Sequence, residues 1–167
     1  MRLRSLERGD IETVAGWLGE PENYKWLDFG GGQQVLPPAS LALMMQRPAH
    51  DLRLYTSDEG QESIGIVALS SISPLFRTAT LWYVLGSKRH QGQGYTRKAV
   101  AQMLRVGFDE HGLASMNAWA VAGNTASVRI LEGNGFRPIG RQRACHLVDG
   151  EPRDRLLFDI LATEQPR

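Results

Sequence analysis

The chain has 167 residues, enough for one domain with a self-sufficient core, and 42% hydrophobic with 22% charged residues is the balance of an ordinary soluble globular protein. A formal net charge of +1 supplies no overall field to attract nucleic acid. The single cysteine, Cys145, excludes an internal disulfide, and no apolar run approaches the roughly 20 residues that span a bilayer. The N-terminus lacks the apolar core and small-residue cleavage site of a signal peptide. The expectation is one cytoplasmic domain over residues 1–167, without membrane or nucleic-acid partners.

In chain order, residues 2–6 predict a strand. Asp10 stands as an N-cap for a helix through Val14, Trp17 and Leu18, which Gly19 and Pro21 end. Residues 23–38 read as irregular, with Gly30, Gly31 and Gly32 in a row and the aromatics Tyr24, Trp26 and Phe29. Such a segment either packs its rings on the core or walls a substrate pocket. Residues 39–47 predict a second helix, closed by Pro48. Strands follow at 52–56, 64–71 and 78–85, with Asp58, Glu59 and Gly60 turning between the first two.

After Gly94 the pattern becomes helical: Ala99, Val100, Met103, Leu104, Gly107 and Phe108 form one stripe, and Gly112 stops it. Residues 116–121 read as a buried strand and 125–132 as a short helix, terminated by Gly133, Asn134 and Gly135. Two final strands, 137–147 and 155–161, are joined at the hairpin dipeptide Asp149-Gly150. The order β-α-α-β-β-β-α-β-α-β-β implies a mixed sheet with helices on both faces.

Gly92 and Gly94 lie between a strong strand and the amphipathic helix. Glycines there let the backbone approach an anion, while the free N–H groups of the first helical turn carry the positive end of the helix dipole. The turn is either a pyrophosphate site or simple tight-turn chemistry. A dinucleotide fingerprint would need glycine at Arg97, and a P-loop would not place Tyr95 after Gly94. What does fit is R-x-x-G-x-G, filled by Arg89, Gly92 and Gly94, and that spacing resembles the acetyl-CoA loop of the GNAT superfamily of N-acetyltransferases. A second segment, from Asn124 and Ser127 through Glu132 to Gly135 and Phe136, resembles the ribosomal-protein N-terminal acetyltransferase-like branch. The likeness runs over residues 79–160.

The resemblance implies an α/β (α+β) GNAT fold, a mixed and mostly antiparallel sheet of about seven strands with a splayed pair. Residues 81–85 would part from 116–121, and the pantetheine arm of acetyl-CoA would lie in the gap beside Val84 and Leu85, as an added strand does. Arg89 and the loop Gln91, Gly92, Gln93, Gly94, Tyr95 and Thr96 would take the pyrophosphate. Asn124 would bond the arm, or serve as an N-cap, or both. The implied activity is direct transfer of an acetyl group to a primary amine, and a homodimer is consistent with the family.

Acetyl transfer needs a neutral amine, a donor for the developing oxyanion, and a proton or hydrogen bond for the leaving thiolate. Many GNAT enzymes carry a tyrosine as acid where this chain has Leu131, and Ser127 is the substitute its own branch suggests. A glutamate base common in relatives is replaced by Thr80. A lysine amine, with pKa about 10.4, is rarely neutral at pH 7, whereas an α-amino group near 8 often is. The acceptor is therefore expected to be weakly basic: a peptide N-terminus, an amino sugar or an amino acid. Trp26, Asp28, Phe29 and Trp82 are the candidate substrate contacts, with Asp28 drawing in a cationic amine; Trp82 and Tyr83 either stack on a substrate ring or fill the core.

His50, Asp51 and His146 join Asp28 as candidates for a water chain, while His90 and His111 are expected to be solvated. The histidines and Cys145 have no metal-ligand spacing. Arg137, Arg141, Arg143, Arg153 and Arg155 make the final hairpin basic, either a solvated face or a contact for an acidic partner. The rival function is a non-catalytic acyl-CoA-binding module, which the absent acid and base favour.

Overall fold

The computed structural model describes residues 1–59 and 62–165; Gly60 of the expected 58–60 turn lies outside the described residues. The strands are β1 (Leu3–Ser5), β2 (Asp51–Thr56), β3 (Ser63–Ser73), β4 (Thr78–Leu85), β5 (Ser115–Val121), β6 (Arg137–Val148) and β7 (Glu151–Leu161). They form a seven-stranded sheet in the order β1-β2-β3-β4-β5-β7-β6, antiparallel except where β4 meets β5. The helices are α1 (Ile11–Leu18), α2 (Pro21–Tyr24), α3 (Pro38–Met45), α4 (Tyr95–Arg105) and α5 (Thr125–Gly133).

Strand periodicity sorts the side chains between two cores. Ala79 and Leu81 of β4 and Met116, Ala118 and Ala120 of β5 pack with Val100, Met103 and Leu104 of α4 and Leu131 of α5. Val84 of β4, with Trp82 against it, belongs instead with Val14 and Leu18 of α1 and Leu41 of α3. The middle of the sheet is thus buried on both faces, and β4 presents alternate residues to each.

Two local readings change, at the prolines and at Asp10. Pro21 does not end a helix but opens the one-turn α2, and Pro38 opens α3, because a residue at the first helical position has no N–H to lose. Asp10 makes no capping bond to α1; its carboxylate takes the Glu7 N–H at 2.9 Å and both guanidinium nitrogens of Arg4. The apolar stripe of α4 continues through a π-helical turn, Val106–Glu110, before Gly112. No helix among the described residues is long and apolar enough to cross a membrane.

Strands β4 and β5 pair only at Thr78↔Ser115, Ala79↔Met116 and Thr80↔Asn117. Beyond that rung each keeps its outer partner, β3 as far as Leu85 and β7 as far as Val121, so the two part into a wedge. Side chains lock the last rung: Thr80 Oγ1 donates to Asn117 Oδ1 at 2.9 Å, and Asn117 Nδ2 donates to the Ala79 carbonyl at 3.2 Å.

Candidate active site

The wedge opens into a cavity of about 1000 Å³. One flank is the start of α4. Gly92 and Gly94 have φ of 77° and 79°, a left-handed conformation that side-chain-bearing residues resist, and Gly94 caps the helix without a side chain. The Gln91 amide donates to the Lys88 carbonyl at 3.0 Å and the Gln93 amide to His90 at 3.3 Å, so these two serve the turn itself. The amides of Gly92, Gly94, Tyr95, Thr96 and Arg97 have no acceptor among the described residues.

A buried tyrosine fixes this turn against the wedge. Tyr55 of β2 lies across Gly65 of β3, where a Cβ would stand 2.3 Å from the tyrosine hydroxyl. That hydroxyl donates to the Val84 carbonyl at 3.2 Å and shares a 2.9 Å bond with Thr96 Oγ1. Burial pushes the Tyr55 pKa well above its ordinary value, against the Thr96 bond. The Leu85 carbonyl accepts from Lys88 Nζ at 2.8 Å. Arg89 is 72% exposed and pairs with Glu62, which also meets Ser87 Oγ at 3.2 Å and His90 Nε2 at 3.4 Å. His90 is therefore engaged rather than freely solvated.

Opposite, at the start of α5, Asn124 Oδ1 accepts from the Ser127 amide at 3.3 Å, an N-cap, while its Nδ2 has no partner among the described residues. Leu131 is buried in the core. The Ser127 hydroxyl lies 2.8 Å from the hydroxyl of Tyr83, which is also 3.1 Å from the Ser127 carbonyl. Burial drives the Tyr83 pKa above the usual phenol range, with the Ser127 bond opposing. Tyr83 is the residue missed as a proton-handling candidate. Its only local signal was parity, shared with Leu81 and Leu85, which turns it to the α4–α5 face.

The other face of the wedge is aromatic. Phe29 meets Trp82 edge-on at 5.3 Å, and Trp26 also lines the cavity. Trp82 Nε1 donates to Ser70 Oγ at 2.8 Å, and His50 Nδ1 lies 2.9 Å from that oxygen. Burial, then Arg47, hold the His50 pKa below its ordinary value.

Asp28 lines the cavity but is not free to attract an amine. One oxygen accepts from the Gly30 and Gly32 amides at 2.8 and 3.0 Å, and the other from Arg155 at 2.8 Å. Burial opposes ionisation there, yet Arg155 and the two amides outweigh it and hold the carboxyl below its usual range. Arg155 stacks 4.0 Å from the Trp119 ring and bonds His146 Nδ1 at 2.9 Å, while His146 Nε2 meets the Lys25 carbonyl at 2.7 Å. The segment with the three glycines is thereby tied to β7. Asp51 does not line the cavity; it is held by Arg53 at 3.0 Å and by His111 at 2.8 Å, so His111 is not simply solvated either. Of the four water-chain candidates, His50 alone lines the cavity with a ring nitrogen, Nε2, that has no partner among the described residues. No group of three or more metal-ligating side chains occurs among the described residues.

Comparison with known proteins gives a consistent picture. Residues 1–137 match a family model described as an acetyltransferase (GNAT) domain. The uncharacterized N-acetyltransferase p20 of Bacillus licheniformis is 26% identical over 172 residues, covering 98% of this chain and 94% of that protein. YdaF of Bacillus subtilis (strain 168), whose name provisionally makes it a ribosomal N-acetyltransferase, is 25% identical, covering 97% of this chain and 91% of its own. Among solved structures, the spermidine N-acetyltransferase of Vibrio cholerae in complex with CoA and spermine superposes with a TM-score of 0.86 at 20% identity, over 98% of this chain and 96% of that one.

Proposed function

The chain belongs to the GNAT family of acetyltransferases and is an N-acetyltransferase; from that premise we propose that it passes the acetyl group of acetyl-CoA directly to a weakly basic primary amine, on a small molecule such as an amino sugar or amino acid or on a protein N-terminus. The observation that carries the donor half is the set of amides at Gly92, Gly94, Tyr95, Thr96 and Arg97 without an acceptor among the described residues, beside a wedge between parted strands. Such amides at a helix start hold a pyrophosphate without a metal. The pantetheine arm runs along residues 81–85, with Asn124 Nδ2 as a further donor to it. Arg89 sits at the exposed edge of this turn and screens the phosphates.

The two faces of the wedge divide the chemistry. On the α5 side, Ser127 stands by the leaving sulfur, and Tyr83 orients its hydroxyl at 2.8 Å. The phenol keeps its proton, because burial raises its pKa far above that of a thiol, and it spans the Ser127 hydroxyl and carbonyl, which holds the serine in place. The amine approaches from the aromatic face. Its nitrogen attacks the thioester carbon, and the sulfur leaves toward Ser127.

Calorimetry with CoA, followed by release of free thiol from acetyl-CoA over a panel of amines, tests this reading. CoA binding with amine-dependent thiol release is expected. Binding without release by any amine supports the acyl-CoA-binding module instead, and absence of binding removes the reading altogether.

A further inference from the structure

The acceptor face of the cavity has a distinct composition. Phe29 and Trp82 form an aromatic corner, and Trp26 lines the same cavity with Lys25 Nζ 5.1 Å from its ring centroid. Among the described residues, the two carboxylates lining the cavity already have cations: Asp28 has Arg155 and two amides, and Glu22, largely exposed at the rim, has Lys25 at 3.3 Å. Lys88 adds a positive charge on the same cavity. A polyamine is multiply cationic at neutral pH, and each charge drawn from water needs an anionic or hydrogen-bonding partner. This wall offers polyamines little, although the Vibrio cholerae protein of the same fold holds spermine. A flat apolar body carrying one amine meets complementary surface here.

His50 sits on that wall. Its Nδ1 is committed to Ser70 Oγ at 2.9 Å, and the same oxygen accepts the indole N–H of Trp82 at 2.8 Å. With Nδ1 as donor, Ser70 receives both hydrogens on its two lone pairs, and Nε2 is left as an acceptor. Ser70 and Trp82 are uncharged, and Arg47 is the charge that bears on the ring, so with burial it favours neutral imidazole.

We propose that the acceptor is a monoamine carried on an aromatic or bulky apolar body, that this body docks on Trp26, Phe29 and Trp82, and that His50 Nε2 receives the proton the amine gives up. This inference rests on the acetyl-transfer reading above. The amine lone pair forms the C–N bond. The C–S bond breaks with its electron pair on sulfur, held by the Ser127 hydroxyl until water protonates it. The amine's proton passes to Nε2 and then to solvent, so the products are the amide and the free thiol of CoA.

The test uses the full chain, acetyl-CoA and a thiol-release assay with phenylalanine amide and leucine amide, whose amines are weakly basic, and with putrescine and spermidine. The kcat/KM for phenylalanine amide should exceed that for spermidine by about tenfold or more. Phe29→Ala should raise KM for phenylalanine amide while leaving kcat nearly unchanged. His50→Gln should lower kcat by about a hundredfold, abolish the acidic limb of its pH profile, and leave CoA affinity by calorimetry intact. Preference for spermidine, no turnover of any of the four amines by a chain that binds CoA, or an acidic limb that survives His50→Gln overturns the inference while the donor site stands. Failure to bind CoA overturns the acetyl-transfer reading itself.

Discussion

Replacing Gly94 by alanine separates the backbone cost of the turn from its role as an anion cradle. Gly94 has φ 79° and ψ 5°, and a Cβ built on it meets nothing within 4 Å. The penalty on the unliganded protein is thus backbone strain alone, roughly 1–2 kcal/mol for an L-residue in the left-handed region. In a chain of this size each kcal/mol moves the melting temperature by about 2–4 °C, so a fall of about 2–8 °C is expected. Gly112 is the matched control: its φ is 63°, its Cβ position is equally open, and it lies outside the cavity. Both variants should lose similar stability in urea unfolding. They should differ in calorimetry with CoA. The methyl of Gly94→Ala occupies space that phosphate oxygens need to reach the amides at about 2.9 Å, so affinity should fall about tenfold or more. Gly112→Ala should bind as the parent does. Equal CoA affinity in the two variants would refute the reasoning.

Tyr55→Phe leaves the Thr96 hydroxyl without its 2.9 Å partner in a buried site and should cost about 1–3 kcal/mol by urea unfolding. Because the folded-state pKa of Tyr55 is raised by burial, its contribution is present below about pH 10 and lost as pH rises further, so Tyr55→Phe should also flatten the alkaline decline in stability. Tyr83→Phe should lower kcat by about tenfold and steepen its dependence on the leaving thiol's pKa across a series of acetyl thioesters; an unchanged slope would remove Tyr83 from the leaving-group side. Arg155→Met keeps an apolar stem over Trp119 but strips the cation from Asp28, with an expected loss of about 1–3 kcal/mol. Asp28 is held below its usual pKa, so the pair's contribution exists above about pH 4 and fades as pH falls; acid titration by circular dichroism should show less of that loss in Arg155→Met.

Local pattern revealed most of the scaffold. The strand runs, the α4 stripe and the Gly92–Gly94 turn each depend on residues near one another in the chain, so periodicity exposes them. Pro21 misled because proline both ends and begins helices, and only context distinguishes the cases. The cavity's side chains were harder. Arg155 is 127 positions from Asp28, and their pairing depends on how β7 is placed in the sheet and how the glycine segment folds back, which no local pattern encodes. Tyr83 and Ser127 are 44 positions apart and meet only because β4 turns odd-numbered residues toward α5. The substitution of Leu131 was plain in the chain, whereas the hydroxyl pair standing beside Ser127 was visible only in three dimensions.

The central claim is that backbone amides at the start of α4 hold the pyrophosphate of the acyl donor. Backbone amide chemical shifts during a CoA titration of nitrogen-15-labelled protein report on it residue by residue. The account predicts the largest saturable shifts at Gly92, Gly94, Tyr95, Thr96 and Arg97, with smaller ones along residues 81–85. Saturable binding that leaves those five amides unmoved would contradict it.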